Sequence, residues 1–482
     1  MKKYILVTTT CLLLFVVSGS CKSKSGIENH TAPNLSLAEQ NITRAIELLD
    51  NAASAHLIGN ELAMARFYNP HTGARSEEKG SIWMYTAVIE AVNSVLRSLK
   101  THHEMGDTAF HNQHFNKYTQ LLKALYDNAD YYLGTFELIS YTQTAEWSVY
   151  GVHRAREKGK AKVEGIENVY DDQMWLVREL LHSYKLTGET DFLQKAEYLT
   201  EYVLDGWDCT FDAAGNEIGG IPWGPGYVSK HSCSNGPMVS PLVWLHEIYK
   251  EKDDEITHRY ISSSDGRTRV TESMKKSEYY LLFAEKVYDW QKRHLLRSDG
   301  VYDDFLGGCT PRNPQTETID GVVYRRGNLC RDRVGPPYTY NSGTDLYRVT
   351  NEKRYLEDAK KLSDASFSYF AEQGAEVSGY YTYDVSGFQN WFNGVLMRAY
   401  VEFQPYSEPV SDYIATFQQN LDYGYENYLY KGFLPTNLLT GWSNDMSKND
   451  TEGMFSFTFA AEYALLAQYE MTKYAGNLQA NL

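Results

Sequence analysis

Tyr170-Asp171-Asp172-Gln173-Met174-Trp175 opens an apolar helical run, and the meaning of its adjacent carboxylates depends on where that run sits in the fold. Acidic residues are ordinary in a first helical turn, where they cap free N–H groups and complement the helix dipole. Two side by side also repel and raise one another's pKa, which is raw material for acid/base and nucleophilic chemistry on a sugar. Trp175 follows the pair by one helical turn and would flank it with an aromatic platform. On the dipeptide alone the cap is favoured, so the rest of the chain has to decide.

Outward from this run, apolar residues recur at helical spacing in about twelve stretches. They start near Ala38, Ser81, Phe110, Tyr170, Thr190, Gly236, Lys276, Tyr338, Asn351, Gln389, Val410 and Gly453. Odd-numbered stretches, such as Asp191 to Leu204 and Glu352 to Phe370, carry Lys and Glu between apolar positions, as amphipathic covers do. Even-numbered stretches open on polar or aromatic clusters: Ser81-Ile82-Trp83-Met84-Tyr85, Tyr170-Asp171-Asp172, Ser234-Asn235-Gly236, Tyr340-Asn341-Ser342-Gly343, Trp391-Phe392-Asn393-Gly394 and Glu452-Gly453-Met454. This alternation predicts an all-α fold, an (α/α)6 toroid of six helical hairpins. Its inner helices run parallel, so their polar N-termini share one mouth, where positive helix ends favour carboxylates and polarise hydroxyls. In that setting chemistry overtakes capping as the reading of Asp171 and Asp172.

The loops into the inner helices are long: 133–169, 206–234 and 298–337. The second contains Gly219-Gly220-Ile221-Pro222-Trp223-Gly224-Pro225-Gly226-Tyr227, a stiff turn carrying two aromatics. It lacks the G-K-[ST] ending and the preceding strand of a phosphate loop. Residues 251–275 are charged, serine-rich and without period, and are expected as a solvated excursion. Strand-like alternation is scarce, with 300–303 and 379–383 as the best short ribbons.

Composition bounds the partners. With 39 Tyr and 9 Trp, the chain holds more aromatics than a core requires, a surplus that suits carbohydrate faces or a large helical core. A net charge of −16 with no basic run argues against nucleic acid. Lys2-Lys3, the apolar run Ile5 to Val17 and Ser18-Gly19-Ser20 before Cys21 resemble a bacterial lipoprotein signal, with a plain secretory peptide as the alternative. The expected organisation is a signal peptide at 1–20, a lipidated Cys21 at the head of a flexible tether at 21–36, and one catalytic domain at 37–476. The protein is then an exported monomer, anchored by lipid to the outer membrane on its periplasmic or surface face. Cys209, Cys233, Cys309 and Cys330 allow three pairings, and the second pair brackets one loop. No C-x-x-C or H-E-x-x-H motif is present, so no structural zinc and no cofactor are expected.

Several motifs, in order, resemble glycoside hydrolase family 76, the endo-α-1,6-mannanases, over nearly all of the mature length. They are Tyr170-Asp171-Asp172 with Trp175, Leu186-Thr187-Gly188-Glu189, Gly219-Gly220-Ile221 with Trp223, Lys230 with Ser234-Asn235-Gly236-Pro237, Thr339-Tyr340-Asn341-Ser342-Gly343 and Phe392-Asn393-Gly394. The resemblance implies an (α/α)6 fold, a metal-free retaining mechanism on a mannan backbone, Asp171 as nucleophile and Asp172 as general acid/base. It extends substrate contacts to Trp223, Tyr227 and Tyr340 by stacking and to Asn235 and Asn341 by hydrogen bonding, with loop packing or helix capping as the alternative for each, and adds Tyr170, Trp175, Phe392 and Asn393 to the substrate-binding set. Asn393 stands where the family pattern has Lys. Two other classes fit part of the pattern. One is a non-catalytic glycan-binding lipoprotein; the other is a toroidal hydrolase of unsaturated uronides, which would use Lys230 and Arg325-Arg326 to hold a substrate carboxylate.

Overall fold

The computed structural model describes residues 35–479, apart from residue 107 and residues 339–342, with side chains described from 37 to 473. Among the described residues there are twelve α-helices: α1 (Leu35–His56), α2 (Ile82–Glu104), α3 (Ala109–Ala129), α4 (Tyr170–Thr187), α5 (Thr190–Asp205) and α6 (Gly236–Tyr249). The second half contributes α7 (Lys276–Leu295), α8 (Gly343–Thr350), α9 (Lys353–Phe370), α10 (Gln389–Phe403), α11 (Val410–Tyr428) and α12 (Gly453–Gln479). The start of α8 falls later than expected because Pro337–Tyr338 pairs as a short strand with Tyr302–Asp303.

The helices form an (α/α)6 toroid. Even-numbered helices line the inside, each backed by an outer neighbour, and α12 packs on both α1 and α2 to close the ring. A short ladder, Thr451 with Tyr68 and Glu452 with Phe67, ties the two chain ends of the ring together. Burial follows the predicted division. In outer α9 the buried positions are Tyr355, Ala359, Leu362, Ser363 and Ser366, a stripe at 3.6-residue spacing. Inner α4 is buried without a break from Asp172 to Ser183. Gly188 ends it in the left-handed region (φ 74°), its N–H donating to the Tyr184 carbonyl at 2.8 Å.

Two expected loops are ordered hairpins instead. Leu133–Ile139 pairs antiparallel with Thr144–Tyr150, and Glu255–Ile261 with Arg269–Lys275. The second replaces the solvated excursion expected at 251–275. One face of its first strand is covered along its length, through Ile256, His258 and the half-buried Tyr260, and polar residues between them hide the two-residue period. The ribbons expected near 300–303 and 379–383 are present as Tyr302–Asp303 and Tyr381–Thr382. Among the described residues one disulfide, Cys309–Cys330, pins the long seventh-to-eighth-helix loop, while Cys209 and Cys233 are free thiols. The expected signal peptide, Cys21 and nearly all of the expected tether lie outside the described residues. Among the described residues no helix is long and apolar enough to cross a membrane.

Between the inner helices, away from the N-terminal mouth, lies a buried charged cluster. Glu90 pairs with Arg398, Arg178 with Glu402 at 2.8 Å, and Asn93 Nδ2 donates to Glu179 at 2.8 Å. Glu462 lies beside Glu90 there, and burial followed by the Glu90 charge pushes its carboxyl up to about 8. A raised folded-state pKa gives stability that is complete below the ordinary carboxylate range and is lost as pH rises toward 8. Glu462→Gln is therefore expected to be near-neutral at pH 5 and stabilising at pH 9 by roughly 3–5 kcal/mol. Thermal unfolding at both pH values checks this; an equal pH effect in variant and parent would refute it.

Candidate active site

Val169 enters α4 in extended backbone (φ −128°, ψ 147°) and supplies no capping side chain. Asp171 and Asp172 therefore occupy the first turn, at the positive end of an inner helix. They line an open cavity of about 350 Å³ with Trp83, His153, Glu167, Trp223 and Tyr227. That volume lies in the range of small-molecule and saccharide pockets, about 300–1,000 Å³.

The aromatic wall is held by a built turn. Gly219 and Gly220 take positive φ (69° and 77°), and a Cβ on Gly220 would come within 2.3 Å of the Trp290 ring. The Tyr170 N–H donates to the Trp223 carbonyl at 2.8 Å, which ties the turn to the start of α4. Asn235 clamps its base: Oδ1 accepts the Ile221 N–H at 2.8 Å, and Nδ2 donates to the carbonyls of Ile221 (3.0 Å) and His231 (2.7 Å). Arg325 donates to the carbonyls of Pro225 (2.9 Å) and Tyr227 (2.5 Å). Lys230 Nζ is buried against Asp208 at 2.8 Å and also donates to the Gly219 carbonyl at 2.5 Å. Trp223 and Tyr227 thus stand in the cavity wall with ring centroids 4.7 Å apart.

The two carboxyls have different surroundings. Burial raises both. For Asp171 the rise is opposed by the Cys233 thiol, the His231 ring, the Trp223 indole N–H and the Asp172 backbone N–H. Asp172, only 5 % exposed, is held well above the ordinary range by burial and by the neighbouring Asp171 charge. The pair therefore loses its two protons in separate steps, and the donors gathered around Asp171 favour charge there, whereas Asp172 has burial and the Asp171 charge against it. Asp171 Oδ1 and Trp223 Nε1 are both buried in this wall, the indole N–H near enough to favour the carboxylate charge but not in full hydrogen-bond geometry with it.

The structure brings together Asp171, Asp172, Trp223 and Tyr227 and sends other expected contacts elsewhere. Tyr170 is buried against Tyr202 (centroids 5.1 Å), with Gly206 beneath its ring. Trp175 turns into the core and meets Trp391 edge-on at 4.7 Å, because a side chain one turn along an inner helix faces the next helix rather than the mouth. Asn235 is fully buried with its amide committed to the turn. Phe392 packs beside Trp83 (5.9 Å) and Tyr338 (5.3 Å). Asn393 lines a neighbouring cavity with Tyr383, Asn390 and Phe417, its amide donating to the Asp384 carbonyl at 2.9 Å. Tyr340 and Asn341 lie outside the described residues.

Sequence reasoning missed Trp83, His153 and Glu167 as cavity residues. Trp83 was legible, since it stands in the cluster opening α2, whereas His153 and Glu167 sit in a loop with no periodic signal. Also unforeseen is a cluster beside Asp171: His231, Cys233 and Asp304, whose ligand-type atoms all lie within 4.8 Å of one another. His231 and Cys233 precede α6, and Asp304 comes from a distant loop, so no linear motif marks them.

Fold and site together define an (α/α)6 toroid with adjacent carboxyls, Asp172 buried and Asp171 half-buried, at the mouth formed by its inner helices. No protein-family model matches the chain, and no curated protein matches it by sequence. Solved structures do match. A glycoside hydrolase family 76 mannosidase from Bacteroides thetaiotaomicron VPI-5482 superposes with a TM-score of 0.64 at 18% identity, over 90% of this chain and 100% of that one. An inactive variant of an α-1,6-mannanase from Salegentibacter sp. HEL1_6, with two adjacent aspartates changed to asparagine and α-1,6-mannotriose bound, gives 0.55 at 18%, over 89% and 99%. A D-mannose isomerase also shares the fold, with a TM-score of 0.53 at 11% identity, over 94% and 100%. The fold is therefore common to different reactions, and the side chains have to choose among them.

Proposed function

We propose that the protein is a family 76 retaining glycoside hydrolase that cleaves α-1,6-mannosidic bonds in the backbone of fungal or yeast-type mannan. The observation that carries this reading is the adjacent, unequally solvated pair Asp171 and Asp172 in an aromatic-walled cavity. The Salegentibacter mannanase made inactive by replacing two adjacent aspartates, with mannotriose bound, supports it. In this reading Asp171, the more readily ionised carboxyl, attacks the anomeric carbon while Asp172 delivers its proton to the leaving oxygen. A water deprotonated by Asp172 then breaks the glycosyl–enzyme bond, returning the original configuration. Trp223 and Tyr227 stack on sugar rings.

The rivals account for less. A uronide hydrolase needs a free cation at its site, but Lys230 is paired with Asp208, Arg325 is spent on backbone carbonyls, and the exposed Arg326 is not among the residues lining the cavity. A purely glycan-binding protein has no use for two adjacent carboxyls held out of their ordinary range. Incubation with unbranched α-1,6-mannan is expected to shorten the chains, with products of retained anomeric configuration by proton NMR. Intact chains would remove the reading, and fresh products of inverted configuration would remove the retaining step. Export and anchoring through Cys21, leaving a monomer on the outer membrane, complete the proposal. Palmitate labelling that persists in Cys21→Ala would overturn that part.

A further inference from the structure

We propose that His231, Cys233 and Asp304 form a binding site for a thiophilic divalent cation of the zinc class, set directly beside Asp171. The three offer one nitrogen, one sulfur and one oxygen, each partly accessible and within 4.8 Å of the others. Ligand atoms around tetrahedral zinc lie about 3.3–3.8 Å apart, so side-chain rotations of about 1 Å close the set. The pairing of Nδ1 of His231 with Oδ1 of Asp304 at 3.8 Å is already at that spacing.

The surroundings supply the orientation that a metal-ligating histidine needs. Nε2 of His231 lies 3.0 Å from Ser229 Oγ; with the proton on Nε2, the hydroxyl accepts it and Nδ1 is left as a lone pair toward Asp304. The ring is fixed between Trp223 (4.9 Å, 27°) and Phe305 (4.9 Å, 24°). The backbone at Asp304 is fixed on both sides, its N–H donating to the Pro336 carbonyl at 2.7 Å and its carbonyl accepting the Ser232 N–H at 2.5 Å. On binding, the thiol proton of Cys233 passes to solvent and the thiolate becomes the ligand. Asp171, whose carboxylate faces the Cys233 thiol, stands outside the three-residue cluster and becomes its fourth ligand only by turning toward the ion. A filled site withdraws that carboxylate from the cavity. This consequence rests on the proposed function, whereas the binding itself does not.

The experiment therefore reads binding directly. EDTA-stripped, reduced protein is titrated with Co²⁺ and, separately, with Zn²⁺ by calorimetry. One equivalent is expected, with a near-ultraviolet thiolate-to-cobalt band. Cys233→Ser should abolish the band, Asp304→Asn should weaken zinc binding at least tenfold, and Cys209→Ser should change neither. Saturating Zn²⁺ should also protect Cys233 of the unmutated protein from iodoacetamide, as read by peptide mapping, which answers the question even where a variant misfolds. Absence of the band together with unprotected Cys233, or a band that survives in Cys233→Ser, overturns the site. Zinc inhibition of mannan cleavage, reversed by EDTA, is the further result expected of an active preparation. Binding without inhibition would remove the role given to Asp171 and leave the site standing.

Discussion

Replacing either Asp171 or Asp172 with asparagine is expected to lower turnover of α-1,6-mannan by about 10³-fold or more, while the unfolding temperature holds or rises. The loss follows from chemistry, since neither amide attacks a carbon nor donates a proton in the required step. The gain in stability follows from burial. Both carboxyls are raised in the folded state, so both cost stability as they ionise, and the amides carry no such cost. The sign is definite: the stability advantage of the variants should be larger at pH 8 than at pH 4.5. The proposed mechanism requires Asp171 ionised and Asp172 protonated. Both limbs of the pH–rate profile should therefore lie above the ordinary carboxylate range of about 4. Near wild-type turnover in both variants would sink the site. Azide separates the two roles. With Asp171→Ala it attacks the sugar directly and yields an inverted glycosyl azide. With Asp172→Ala it intercepts the glycosyl–enzyme and yields a retained one. The opposite pattern would exchange the assignments.

The second large effect falls on stability. Lys230 and Asp208 are 2% and 0% exposed, and the lysine also anchors the Gly219 carbonyl at the base of the aromatic turn. Lys230→Ala leaves the Asp208 carboxylate buried with only Thr210 and the Asn328 N–H to satisfy it. Removing one partner of such a pair costs about 3–5 kcal/mol. Replacing both, as Lys230→Met with Asp208→Leu, should recover more than half of that loss, because no unpaired charge remains. Urea unfolding of the single and double variants measures the difference. A Lys230→Ala protein of unchanged stability but lost activity would instead make Lys230 a substrate contact and revive the uronide reading.

How much of this was legible varies with the kind of signal. Helical period identified the inner and outer helices because outer α9 and its like show a stripe while inner α4 and its like are apolar on several faces. The hairpin at 255–275 escaped because its covered face was interleaved with polar residues. Trp223 and Tyr227 were found because glycines with positive φ and the prolines beside them mark a turn whatever packs on it. Trp175 and Asn235 were misassigned for a shared reason: residue type reports what a side chain is able to do, not which neighbour claims it first.

The sequence by itself determined the twelve helices, their division into inner and outer layers, and the carboxylate pair at the start of α4, since these follow from local period and from residues adjacent in the chain. Only the tertiary structure decided which aromatics face the cavity, that Lys230 and Arg325 are consumed internally, and that Asp171 and Asp172 differ in environment. It alone brings His231, Cys233 and Asp304 together. The physical reason is that solvation, pairing and coordination depend on distances between residues far apart in the chain, and the fold has to bring those residues together first.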